Sequence, residues 1–131
     1  MSPDRRRALE ATRDLKPTAT NLLRTAQELG PDLARWAFEQ WELRSHARGK
    51  FDSPDRMLFV REALEQATHP SIARWRASLF PPGATVADLT AGIGGDALAL
   101  AQRGPIVAFE IDSRRAECLI HNLDVVQAAF E

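Results

Sequence analysis

Asp88, Glu110 and Asp112 stand around a glycine-rich run, Thr85-Val-Ala-Asp-Leu-Thr-Ala-Gly-Ile-Gly-Gly-Asp96. Asp88 precedes Gly92 by four residues and Glu110 follows it by 18. A Gly-x-Gly turn lets the backbone approach a ligand closely, because glycine has no Cβ. A helix that starts there presents N–H groups and the positive end of its dipole. Gly92, Gly94 and Ala97 also fit the loose G-x-G-x-x-G/A pattern of dinucleotide-binding turns, a weak signal by itself. No Gly-Lys-Ser/Thr follows, which argues against a nucleoside triphosphatase.

The acids narrow the ligand. A dinucleotide site reserves its turn N–H groups for a pyrophosphate and keeps the Asp88 position apolar. S-adenosyl-L-methionine (SAM) has no phosphate and carries a sulfonium and an α-amino group, so a strand-end carboxylate suits it. Glu110 closes the second strand, where a carboxylate can accept both ribose hydroxyl protons. Asp112 falls on the same side by strand alternation and can instead cap the next helix. Cofactor contacts are expected from Asp88, Ala91, Gly92, Gly94 and Glu110. A ligated metal is not expected, since His46, His69 and His121 are scattered and Cys118 is the single cysteine.

The elements that must position these residues are short. Thr85–Leu89 reads as a strand, Asp96 to about Arg103 as a helix closed by Gly104, and Pro105–Asp112 as a second, buried strand. Ser113 then caps a helix with Ala116, Leu119, Ile120, Leu123 and Val126 along one face. The β-α-β-α order is the first half of a doubly wound sheet.

Upstream, helix signals dominate. Ser2-Pro3 starts a helix to about Leu15, and Thr18 or Thr20 caps one that Gly30 closes. Pro31-Asp32 opens a third to about Arg48, with Leu33, Ala37 and Trp41 as a buried stripe beside Trp36. A fourth is expected from Pro54 to about Gln66, and a fifth from Thr68 or His69 to near Phe80. Pro81-Pro82-Gly83 places a seam between a helical region, 1–83, and a cofactor domain, 84–131. The fold class expected is α/β: a helical N-terminal region, then an incomplete Rossmann-like sheet.

With those residues in view, Asp88-Leu-Thr-Ala-Gly-Ile-Gly-Gly95 resembles motif I of class I SAM-dependent methyltransferases. Val107-Ala-Phe-Glu-Ile-Asp112, with Arg114, Arg115 and Asn122 after it, resembles the next motif. The particular pattern is similar to trimethylguanosine synthase and the bacterial THUMP-like-domain methyltransferases. Lys50-Phe-Asp52 and Arg61-Glu-Ala-Leu-Glu-Gln-Ala-Thr68, followed by Ile72-Ala73, resemble the segment that folds over the cofactor in that family. The resemblance implies that Glu62 and Thr68 bind the methionine end. His69 follows Thr68 where the family usually has proline. It also implies methyl transfer to a guanosine nitrogen of an RNA. The family's catalytic Asn/Asp-Pro-Pro-aromatic loop does not occur in the 131 residues, so the chain is expected to be a front portion that binds cofactor without transferring methyl groups.

Composition sets the outer bounds. Hydrophobic residues at 44% and charged residues at 27% fit a globular domain with a core. No apolar run approaches the roughly 20 residues of a membrane span. One cysteine and no secretory signal point to the cytoplasm. The net charge of −1 hides a balance of +3 over 1–83 and −4 over 84–131. Arg44, Arg48, Lys50, Arg56 and Arg61 can line an RNA groove. A first strand without a second neighbour exposes a sheet edge, a route to self-association. Two other functions fit parts of the pattern: an NAD(P)-binding Rossmann fragment, and a non-catalytic helical interaction module.

Overall fold

Helix caps and prolines set most of the local structure. In the computed structural model, which describes residues 1–127, Ser2 Oγ accepts the Arg5 N–H at 3.3 Å and Pro3 opens helix α1 (Pro3–Thr12). Thr18 Oγ1 accepts the Asn21 N–H at 3.2 Å at the start of α2 (Ala19–Leu29), which Gly30 ends. Helix α3 (Pro31–His46) follows directly. These helices pack on one another. Ala8, Leu9, Ala34, Ala37 and Phe38 are buried, and Trp41 Nε1 donates to the buried Thr12 hydroxyl at 3.0 Å. The stripe runs through Ala34, Ala37 and Phe38, whereas Leu33, Trp36 and Trp41 are half-buried. The Arg5 and Arg44 guanidinium groups lie 5.0 and 4.5 Å from the centres of the Trp36 and Trp41 rings.

The chain divides into two compact units, 1–46 and the residues from Ala47 onward. The division lies well upstream of Pro81-Pro82-Gly83. Residues 47–83, grouped above with the helical region, therefore belong with the strands. Residues 128–131, the end of the expected cofactor domain, lie outside the described residues.

In the second unit a single 3-10 turn (Pro54–Arg56) replaces most of the expected fourth helix. Residues 57–60 lie in no helix, with extended backbone at Met57 and Val60, and helix α4 spans only Arg61–Gln66. The cause is Asn122. Its Oδ1 accepts the Leu58 N–H at 2.8 Å and its Nδ2 donates to the Leu58 carbonyl at 3.0 Å. Both backbone groups of Leu58 are thereby taken from any helical ladder. Met57, Leu58 and Phe59 are all within 2% of full burial. Helix α5 (Pro70–Ser78) starts at His69, whose Nδ1 accepts the Ser71 N–H at 3.3 Å.

Strand β1 (Val86–Asp88) and strand β2 (Ile106–Ala108) pair in parallel, with Asp88 opposite Ala108. Helix α6 (Ala97–Ala101) connects them, and α7 (Ser113–Gln127) follows β2. The described residues are thus mostly helical around a two-stranded parallel sheet, an α/β arrangement in the broad sense. One sheet face is covered: Ile106 and Ala108 pack on Ala91, Ala97 and Leu119. Burying a leucine such as Leu119 contributes about 1.5–3 kcal/mol. The other face is open. Val107, Phe109 and Ile111 are exposed, which corrects the expectation of a strand buried on both sides. Among the described residues no helix is long and apolar enough to cross a membrane.

Candidate functional site

The parallel pairing extends past the strands and sets the site's frame. Phe109 donates its N–H to the Asp88 carbonyl at 2.8 Å, and Ala91 donates to Phe109 at 2.9 Å. The ends that carry Asp88 and Glu110 are therefore held side by side. The chain then turns toward α6 with φ of 60° at Gly92 and 107° at Gly94, a region that L side chains rarely adopt. At Gly94 a Cβ would also sit 3.0 Å from Leu98 Cγ.

A cleft of about 500 Å³ opens over this turn. Its floor is the run from Asp88 to Ile93 with Gly95 and Asp96. One wall is Phe109, Glu110 and Ile111, and the other is Ala63, Gln66, Ala67 and Thr68. Arg115 supplies the lining's one cation, against the carboxylates of Asp88, Asp96 and Glu110.

Glu110 is the most constrained of the sequence-nominated residues. Its Oε2 accepts the Gly92 N–H at 2.9 Å, and its Oε1 accepts the Asp112 N–H at 2.8 Å. Each oxygen keeps a lone pair for a further donor. Asp88 lines the same cleft, and its Oδ1 accepts the Thr90 N–H at 3.2 Å, an Asx-type turn. Ala91 is buried, and Gly94 donates its N–H back to the Ala91 carbonyl at 2.9 Å. The N–H groups of Thr90, Ala91, Gly92 and Gly94 are thus all used within the protein.

The lid residues separate. Thr68 lines the cleft, but Glu62 is exposed and outside its lining. Ala63, Gln66 and Ala67, spaced i, i+3 and i+4, form the side of the α4 segment that meets the cleft, and Glu62 lies beside that stripe. Asp112 takes the capping role. Its Oδ1 accepts the N–H groups of Arg114 and Arg115 at 2.9 and 3.0 Å, so Asp112, rather than Ser113, caps α7. The Arg115 N–H, with the Arg114 N–H and the charges of both arginines, lowers the Asp112 pKa against an opposing desolvation.

Three further residues belong to the site. Thr68 donates its hydroxyl to Asp96 Oδ2 at 2.7 Å, and Arg76 Nη1 donates to the same oxygen at 2.7 Å. At Gly95 a Cβ would lie 3.0 Å from the Thr68 nitrogen, so a larger residue there would push the turn and the Thr68 backbone apart by a few tenths of an ångström. Gly95 and Asp96 end the glycine-rich run noted above, but a helix-start reading of Asp96 hides its partners. Arg76 carried no sequence signal.

Of the basic residues nominated for RNA, Lys50 and Arg44 are engaged within the protein, and Arg48 joins an exposed ion pair. Lys50 Nζ donates to the Leu64 and Glu65 carbonyls at 3.1 and 3.3 Å, and Arg48 pairs with Asp55 at 3.6 Å. Arg44 is buried, with its guanidinium over Trp41. Among the described residues no group of His, Cys, Asp or Glu is arranged to hold a metal ion. Comparison with protein-family models, curated proteins and solved structures gave no match.

Proposed function

We propose that the cleft binds SAM and that the second unit is the SAM-binding portion of a methyltransferase, built on the first half of a Rossmann-like sheet. The observation that carries this reading is the Glu110 carboxylate, oriented by the Gly92 and Asp112 N–H groups with a lone pair left on each oxygen. Such a carboxylate accepts from two adjacent hydroxyls, as a ribose diol presents them. Ile111, fully exposed beside it, offers apolar surface to a flat base.

Charge favours SAM over a dinucleotide. Arg76 pairs with Asp96, which leaves Asp88 and Glu110 against Arg115 in the lining. An excess of carboxylate suits a sulfonium and an ammonium and opposes a pyrophosphate. Four turn N–H groups are already used within the protein, which further disfavours NAD(P).

When bound, SAM supplies an electrophilic methyl group for in-line displacement. The residues here bind and orient: Glu110 holds the ribose, Asp88 faces the cationic end, and Ala91, Gly92 and Gly94 shape the turn beneath. Their contribution to rate is positioning, the main source of catalysis in such a displacement. The methyl acceptor, a guanosine nitrogen of an RNA, is proposed on the resemblance of the glycine turn, of Val107–Asp112 with Asn122, and of the upstream segment to that family.

Titration calorimetry tests the proposal. S-adenosylhomocysteine should bind, and Glu110→Ala should weaken it by about tenfold or more, given the usual strength of a charge-assisted hydrogen bond. NAD⁺ bound more tightly than S-adenosylhomocysteine, or Glu110→Ala without effect, would refute it.

A further inference from the structure

Thr68, Asp96 and Arg76 form a cluster against the cleft whose hydrogen-bond polarity is fixed from within. Asp96 Oδ2 accepts from both the Thr68 hydroxyl and Arg76 Nη1, each at 2.7 Å. An ionised carboxylate only accepts, so the Thr68 proton must point at Asp96. Arg76 Nη1 also lies 3.3 Å from Thr68 Oγ1 and faces one of its lone pairs. What Thr68 has left for a ligand in the cleft is one lone pair and no proton.

The second observation is Asp96 Oδ1. It is buried from solvent and has no hydrogen-bond partner, the one such side-chain atom among the described residues. A buried acceptor left unpaired costs about 1–3 kcal/mol, and native structures keep few of them without cause. Thr68 and Asp96 both line the cleft. Oδ1 has no exposed surface, so the acceptor that the cluster turns to the cleft is the Thr68 lone pair.

We infer that Asp96 is a positioning residue that makes Thr68 an acceptor, so that this end of the cleft selects an ammonium and discriminates against a bare carboxylate. The inference rests on the SAM reading and deepens it: the amino group of the cofactor's amino-acid end, rather than its carboxylate, meets Thr68. Replacing Asp96 by Ala removes the acceptor that holds the Thr68 proton. The hydroxyl proton is then free to reverse, and the preference goes with it.

The test compares three ligands by calorimetry: S-adenosylhomocysteine, its deaminated analogue, which keeps the carboxylate, and 5′-methylthioadenosine, which lacks the amino-acid end. The wild-type chain should bind S-adenosylhomocysteine about tenfold or more tightly than the deaminated analogue, the usual worth of a hydrogen bond to a charged group. In Asp96→Ala and in Thr68→Val that ratio should fall toward one, while 5′-methylthioadenosine still binds both variants. A ratio near one in the wild type, or one unchanged in both variants, overturns the inference and leaves the SAM reading standing. Loss of 5′-methylthioadenosine binding by both variants also overturns it, because the cluster then only holds the cleft together. Failure of the wild type to bind 5′-methylthioadenosine or S-adenosylhomocysteine overturns the SAM reading and this inference with it.

Discussion

Asn122 is fully buried on α7 and ties together three separate stretches of the second unit. It accepts from the Leu58 N–H at 2.8 Å and donates to the Leu58 and Ile93 carbonyls, each at 3.0 Å. Two carbonyls facing Nδ2 leave no choice in the orientation of the amide. Asn122→Ala would strand three backbone groups in the interior. At about 1–3 kcal/mol each, the upper range is about 9 kcal/mol. Water admitted to the vacated space recovers part of this, so a loss of about 3–5 kcal/mol is expected. That is a large share of the roughly 5–15 kcal/mol that holds a domain together. Asn122→Asp is the sharper variant. It keeps the size and the acceptor for Leu58 but sets a carboxylate oxygen against two carbonyls, so it should cost at least as much as the alanine. Urea unfolding followed by tryptophan fluorescence and far-UV circular dichroism gives both values. If both variants lose less than about 1 kcal/mol, Asn122 is not what keeps residues 57–60 out of a helix, and the account of that segment fails.

Three other outcomes follow from single contacts. Gly95→Ala places a Cβ 3.0 Å from the Thr68 nitrogen and should cost about 1–3 kcal/mol while weakening S-adenosylhomocysteine; unchanged stability and affinity would show that lid and turn do not meet there. The Asp112 pKa is lowered in the folded chain, so the stability it contributes is present above its unfolded pKa and lost as pH falls through the folded one; carboxyl NMR titration should find it below the ordinary 3.8, and Asp112→Asn should destabilise at pH 7 but not in strong acid. Val107 lies on the open sheet face, is 49% exposed and is outside the cleft lining. Sedimentation should show concentration-dependent self-association that Val107→Lys reduces, without change in S-adenosylhomocysteine affinity; equal association by both chains would exclude this face as its source.

Features decided within a few residues were legible in the sequence. Ser2, Thr18 and Gly30 bound their helices as expected, because a cap is a bond between neighbours. The place of Glu110 just beyond the second strand was legible from order along the chain, but its bond to the Gly92 N–H was not, because that depends on the register of the pair. Apolar residues at 57, 58, 60 and 64 fit a helix, but Asn122, 64 positions from Leu58, took the backbone groups the helix needed. The second strand read as buried on both sides from its composition, yet a strand's surroundings depend on what packs against it. Glu62 shows a related limit: its place near the cleft was implied by resemblance to a family segment, and the turn of α4 leaves it outside the lining.

The division of the chain is the clearest case. Pro81-Pro82-Gly83 is a genuine break in secondary structure, with α5 before it and β1 after it. It is not where the compact units part. Two long-range polar clusters cross it: Asn122 joins Leu58 to Ile93, and Asp96 joins Thr68 and Arg76 to the glycine turn. Each uses a buried or half-buried polar side chain whose partners must be present, or the burial costs more than it returns. Such groups commit a lid to a cleft far more specifically than apolar contact does. They also make Asn122 and Asp96, beside Gly95, the positions where residues 58–76 and the glycine turn should come apart first.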